Sequence, residues 1–186
     1  MLASASPRRL DLLRQIGIAP DVVEAADIDE SPRPGEMPAA LAARLSRAKC
    51  AAVAARHPDS FVVAADTVVA CGRRILPKAE SEADARRCLA LLSGRRHIVH
   101  GGVAVRTPGG RESHRLVATG VTFKRLTPDE MAAYVESGEW HGKAGGYAIQ
   151  GRAAGLIRAI GGSYSNVVGL DLFALAQMLR GLGFAF

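Results

Sequence analysis

Residues 61–72 run FVVAADTVVACG. The stretch is apolar and rich in valine, it stops at Gly72, and only Asp66-Thr67 interrupts it. That composition and length predict a buried strand. Asp66 is the anomaly. Aspartate is depleted in strand interiors, and a buried carboxylate is costly unless it is paired or bound to a metal. Two explanations stand side by side. Asp66 is a carboxylate at a strand end or bulge that caps a backbone amide, or it lies at the lip of a cleft and holds a metal or acts as a base.

The segments on either side alternate between strand and helix signals. Residues 1–3 predict the end of a buried strand. Residues 7–16 predict a helix, with Ser6 as N-cap, Pro7 in the first helical position, Leu10, Leu12, Leu13 and Ile16 as its apolar face, and Gly17 as its stop. DVVEAA (21–26) predicts a strand, and the proline-rich, acidic DIDESPRPGEMP (27–38) a loop. Residues 39–56 predict a helix with Leu41, Leu45, Ala48 and Ala52 on one face. SEADARRCLALLSG (81–94) predicts a helix capped by Ser81, with Asp84 in its first turn. Residues 97–126 predict two strands joined at Pro108-Gly109-Gly110. Residues 127–138 carry a capping box, Thr127 with Glu130. LIRAIGGS (156–163) predicts a short strand, and 165–182 a last helix. There is no repeat and no linker. The pattern predicts an α/β fold with a mixed sheet, one domain over residues 1–186.

Composition narrows the function. The 186 residues are 48% apolar and 23% charged, with a net charge of +6. A basic chain can bind nucleic acid, but three Tyr, five Phe and one Trp are few for that purpose, and no Lys/Arg run exceeds two residues. The arginine doublets at 8–9, 73–74, 86–87 and 95–96 suit a small polyanion as well as a polymer, and solvated faces account for most of them. No apolar run is long enough for a membrane span, and arginines at 8 and 9 argue against a signal peptide. Cys50, Cys71 and Cys88 are few and widely spaced, forming neither a disulfide framework nor a zinc site, which suggests a reducing cytosol. His97 and His100 are a weak metal signal. Against 20 arginines there are only four lysines: Lys49, Lys78, Lys124 and Lys143. Lysine kept in so arginine-rich a chain suggests places where a compact point charge is needed, although Lys124 also reads as plain surface.

Several residues can join Asp66. Lys78, in ILPKAES, returns toward the same edge if a turn at Gly72 joins two strands; otherwise it is a surface lysine. Lys49, on its amphipathic helix, reads as solvated on its own evidence. Glu30 means nothing alone, but beside Asp66 it would complete a two-carboxylate divalent metal site. GKAGGYAIQG (142–151) has four glycines with Tyr147 and Gln150. It suggests either a backbone that approaches a ligand, with an amide to read a base edge, or a tight bend with Gln150 at the surface. It is no P-loop, because the GxxxxGK[ST] pattern is missing. Arg8 and Arg9 fall in the first turn of a helix, where the dipole disfavours cations. An anion held by the free backbone amides there resolves the conflict. Cations, carboxylates and a glycine-rich loop together fit a nucleoside triphosphate.

LASASPRRLDLLRQIGI, ADTVV, LSGRRHIV, GKAGGYAIQG and GGSYSNVVGLDL occur in this order, and together they resemble the Maf family of nucleoside triphosphate pyrophosphatases, once called septum formation inhibitors. The resemblance runs from residue 2 to about residue 180. It implies a two-lobed α/β fold, Maf/ITPase-like, around a mixed sheet with a central cleft, in a cytoplasmic homodimer. It implies hydrolysis of a nucleoside triphosphate to monophosphate and pyrophosphate with Mg²⁺ or Mn²⁺. The family's phosphate-binding arginines fall on Arg8 and Arg9, its acidic loop residue on Glu30, its helix lysine on Lys49, its catalytic aspartate on Asp66 beside Thr67, its second lysine on Lys78 and its base-side glutamine on Gln150. Catalysis would then fall to Asp66, Lys49, Lys78 and Glu30, metal binding to Asp66 and Glu30, and substrate contact to Ser6, Arg8, Arg9, Thr67 and Gln150. Gly146-Tyr147 and Gln150 resemble the dTTP and UTP branch rather than the 7-methylguanosine triphosphate branch. A nucleotide-binding regulator of division without turnover is the reading from another class. The sequence departs from the family pattern at Pro77-Lys78-Ala79 for Gly-Lys-Pro, at Gly101 for Thr, at Gly142 for Asp and at Asp171 for Pro.

Overall fold

A computed structural model describes residues Met1–Phe186. Strand β1 (Leu2–Ala3) leads through Ser4-Ala5-Ser6 into α1 (Pro7–Gln15). Helix α2 (Pro38–Arg56) follows the proline-rich loop, then β2 (Val62–Cys71), β3 (Arg74–Leu76), β4 (Lys78–Ala79) and α3 (Glu82–Leu92). The hairpin of β5 (Arg96–Arg106) and β6 (Glu112–Phe123) precedes α4 (Pro128–Glu136) and β7 (Lys143–Ala144). A 3₁₀ turn at Arg152–Leu156, β8 (Ile157–Gly161), α5 (Tyr164–Val168) and α6 (Leu172–Gly181) complete the chain.

The main sheet runs β1-β2-β5-β6-β8, and β3 pairs with β2 on the same side as β1. Only β1 lies parallel to β2, so the sheet is mixed, as the sequence predicts. β4 and β7 form a separate two-stranded sheet. Side chains alternate across β2. Val62, Ala64 and Val68 face α2, while Val63 and Ala65 pack with Leu12, Leu13, Leu175 and Met178 from α1 and α6. A third core, around Leu89, Leu92, Phe123 and Tyr134, lies under α3 and α4.

Two features of β2 and β5 set up the site. β1 covers Val63 and Ala64, and β3 begins at Val69, so residues 65–68 have no neighbour on that side. On the other side, Asp66 is in register with Gly102 and Thr67 with Gly101. A Cβ on Gly102 would lie 2.2 Å from the Ala42 carbonyl oxygen on α2, and one on Gly101 would lie 1.8 Å from Asn166 Oδ1 on α5. The glycine pair therefore lets one helix close down on each face of the sheet, directly across from Asp66-Thr67. A threonine at Gly101 would have to displace the Asn166 side chain.

Three sequence expectations need correction. Residues 21–26 are not a strand, and only the bridge Leu2–Val23 survives from it. The last helix is broken: Gly169 has φ +147°, and Asp171 starts α6 afresh by accepting a hydrogen bond from the Ala174 amide at 2.6 Å. The buried face of α2 is rotated from the predicted one, since Ala48 and Ala52 are only half-buried. Lys49 lies on the buried face instead, with Leu41, Leu45, Cys50 and Val53.

Candidate active site

The edge of β2 that β1 and β3 leave open forms one wall of a cleft of about 380 Å³. Ser6, Arg8, Arg9, Glu30, Lys49, Asp66, Thr67, Lys78 and Gln150 all line it. Nine residues spread over 145 positions of sequence thus meet in one place. Because no strand covers residues 65–68, both faces of β2 open on the cleft: Asp66 from the α2 face and Thr67 from the α1 face.

Asp66 is 6% exposed, and its burial is compensated. Lys49 Nζ donates to Asp66 Oδ1 at 2.6 Å and lies 2.8 Å from Glu30 Oε1. Asp66 thus lies mid-strand and is no cap on a backbone amide. Lys49, expected to be solvated, is buried between two carboxylates. Sequence alone hides this, because its partners lie 17 residues ahead and 19 behind. Lys78 does return to the same edge, and its Nζ donates to Glu30 Oε2 at 3.4 Å at the exposed mouth. Burial pushes the Glu30 carboxyl upward, but Lys49 and Lys78 outweigh it and hold Glu30 below its ordinary value.

The two arginines differ. Arg9 spends three donors on the protein: Nε on the Gly169 carbonyl at 2.8 Å, Nη1 on Ser4 Oγ at 3.0 Å and Nη2 on Thr67 Oγ1 at 3.3 Å. It ties α1 to β1, β2 and the α5–α6 break. Arg8 has no protein partner. Burial lowers the pKa of both guanidiniums. Ser6 is the N-cap by position, yet its side chain makes no cap hydrogen bond; Pro7 has no N–H and the Arg9 amide donates to the Ser6 carbonyl at 3.2 Å, so in the first turn the Arg8 amide is the one left open. Ser4 and Gly169, which hold Arg9, escaped the sequence reading. Only the backbone path brings them together.

On the far wall, β4 and β7 carry the glycine-rich segment. Gly145 and Gly146 adopt φ +72° and +66°, which favour glycine, and a Cβ on Gly145 would press on Val69 at 2.9 Å. The segment turns Tyr147 into the core, where its hydroxyl lies 2.8 Å from His97 Nε2, and leaves Gln150 exposed at the cleft. His97 and His100 therefore form no metal pair, and no group of three His, Cys, Asp or Glu side chains comes together anywhere. No helix is long and apolar enough to cross a membrane.

The chain is similar to known proteins along its whole length. A dTTP/UTP pyrophosphatase of Paramagnetospirillum magneticum is 66% identical over 100% of this chain and 97% of its own length. One of Caulobacter vibrioides is 59% identical over 99% of this chain and 95% of its own, and one of Rhodospirillum rubrum is 56% identical over 99% and 88%. A solved nucleoside-triphosphatase / dITP/XTP pyrophosphatase of Mycobacterium abscessus overlaps 67% of the chain at 19% identity and a TM-score of 0.40, too loose a likeness to carry weight. The model of the family described as "Maf-like protein" matches residues 1–182, and the chain belongs to that family.

Proposed function

We propose that this protein hydrolyses dTTP and UTP to the monophosphate and pyrophosphate. The observation that carries the reading is that full-length relatives named dTTP/UTP pyrophosphatase share 54–66% of the sequence, from end to end. The cleft supports it, with a cationic rim around a buried carboxylate. We assign Arg8 with its open backbone amide, Arg9 and Lys78 to the triphosphate, and Thr67 and Gln150, with Ser6 nearby, to the rest of the nucleotide. Asp66 has one oxygen engaged by Lys49 and the other without a protein partner, free to orient an attacking water and take its proton. Lys49 holds Asp66 and Glu30 close together and helps keep Glu30 ionised.

Asp66 and Glu30 fit Mg²⁺ or Mn²⁺: both are hard oxygen donors lining one cleft on either side of Lys49, and such ions take one or two carboxylates from protein when phosphates complete the shell. They would hold the ion there, and it would neutralise charge on the phosphate oxygens. One domain over residues 1–186, acting as a cytoplasmic homodimer, belongs to the same reading. The test is product analysis across a nucleotide panel with and without Mg²⁺. The expected result is UMP and dTMP with pyrophosphate. Orthophosphate with nucleoside diphosphate, or 7-methylguanosine triphosphate as the best substrate, would overturn it.

A further inference from the structure

Five cations line the cleft: Arg8, Arg9, Lys49, Lys78 and Lys143. Three of them are accounted for within the protein. Lys49 is shared between Asp66 and Glu30, Lys78 rests on Glu30, and Arg9 spends three donors on Ser4, Thr67 and Gly169. Arg8 and Lys143 remain. Neither lies within 4.0 Å of a carboxylate, and Lys143 Nζ donates only to the His141 carbonyl at 2.8 Å. The two are near enough to oppose each other: burial lowers the pKa of Lys143, Arg8 lowers it further, and Glu139 offsets this only in part.

Two unpaired cations lining one half-buried cleft are unfavourable until an anion joins them. The backbone holds Lys143 firmly in that place. Lys143 is opposite Ala79 and Ala144 opposite Lys78 in the small β4–β7 sheet, and the Gly142 and Gly145 amides donate to the Ala79 and Pro77 carbonyls at 2.8 and 3.0 Å. Three of the chain's four lysines thus line this cleft, while Lys124 pairs with Glu130 on the surface. Only two of twenty arginines join them.

We propose that Lys143, with Arg8, binds the pyrophosphate half of the triphosphate and neutralises it as it leaves. This rests on the triphosphate reading above. It makes Lys143, which the sequence marked only as one of four retained lysines, a substrate-contacting residue.

Calorimetry with pyrophosphate and Mg²⁺ tests it, alongside UMP binding, UTP turnover and ligand-free melting temperature on the same samples. Lys143→Met keeps the side chain's length and removes its charge; Lys143→Gln repeats the removal with a polar chain. Both should weaken pyrophosphate binding about ten-fold or more and leave UMP binding unchanged. Lys143→Arg should recover most of the loss, and ligand-free melting should hold or rise. Unchanged pyrophosphate affinity in both neutral variants overturns the inference. So does loss of pyrophosphate and UMP binding together with a lower melting temperature, because that is a structural role. If the unaltered protein cleaves UTP and the variants bind pyrophosphate normally, the assignment of Lys143 fails and the function stands. If the unaltered protein binds pyrophosphate through Lys143 but cleaves neither UTP nor dTTP, the function fails and the anion site stands.

Discussion

Helix α3 begins with a complete capping box, and helix α1 begins with none. Ser81 Oγ accepts from the Asp84 amide and Asp84 accepts from the Ser81 amide, with Glu82 adding a second acid to the first turn. At α1 the cap side chain is idle, no acid is present, and two arginines occupy the turn. Helix α4, beside α3, repeats the box with Thr127 and Glu130. The difference follows position. α3 and α4 cover the core around His97, where open amides would only cost stability. α1 points into the cleft, where an open amide, that of Arg8, is an anion donor. One side of the molecule caps its helix starts internally, and the other leaves a helix start uncapped at the cleft.

This contrast makes opposite demands on substitutions at the two sides. The largest effect belongs to Asp66→Asn. Turnover should fall roughly 10²- to 10⁴-fold, with melting temperature held or raised, because a buried charge is removed. Single-turnover hydrolysis and melting on one sample decide it. A destabilised variant with near-normal turnover would mean that Asp66 serves the fold, and the contrast would collapse.

On the opposite side, burial lowers the pKa of His97 to about 4, and its Nδ1 has no partner to receive a proton. The unfolded chain takes up a proton near pH 6.5, whereas the folded chain does so only near 4. Stability is therefore complete above pH 6.5 and falls as pH drops toward 4, by about 3 kcal/mol in all. Burial lowers the pKa of His100 in the same direction. Melting temperature against pH should show this step, and His97→Gln should shrink it to the share of His100. A flat profile in the unaltered protein would contradict the closed character of this core.

Arg8→Ala comes next. Triphosphate binding should weaken by about 1.5–3 kcal/mol, the worth of a charge-assisted hydrogen bond. Ligand-free stability should hold or rise, since a cation leaves the wrong helix end. A clear drop in ligand-free melting temperature would make Arg8 structural.

The smallest effect separates the two helix starts directly. Ser81→Ala should cost about 1 kcal/mol, or about 2–4 °C in melting temperature, with turnover per folded molecule intact. Ser6→Ala removes no cap bond and should change stability by less than about 0.5 kcal/mol. Equal losses at both serines would erase the distinction.

Much of this was legible in the sequence, for identifiable reasons. Capping boxes are local, so Ser81-Asp84 and Thr127-Glu130 could be read from residues three apart. The β5–β6 hairpin announced itself at Pro108-Gly109-Gly110. Asp66 stood out because valines surround it. What stayed hidden depends on distance. Lys49 is an ordinary helix lysine until α2 lies on Gly102, and Ser4 and Gly169 are featureless until Arg9 spans them. The strand expected at 21–26 lost because one bridge to Leu2 is all the pairing available there. The final helix breaks at Gly169, whose φ of +147° ends α5 and whose carbonyl accepts from Arg9, and Asp171 caps α6; the glycine and the cap were local signals that the apolar run of 165–182 masked.

The open stretch of β2 also bears on the entropy of binding. Asp66 and Thr67 stand on a strand locked to β5 along one whole side, and to β1 and β3 at either end of the other. Lys49 and Arg9 are already fixed by their own hydrogen bonds. The groups nearest the reacting bond have therefore given up their freedom during folding, and a nucleotide need not order them again. What remains to be ordered is the rim: Arg8, Lys78 and Lys143. Their flexible side chains bear the entropic cost of closing around a triphosphate, while the buried centre is preorganised to receive it.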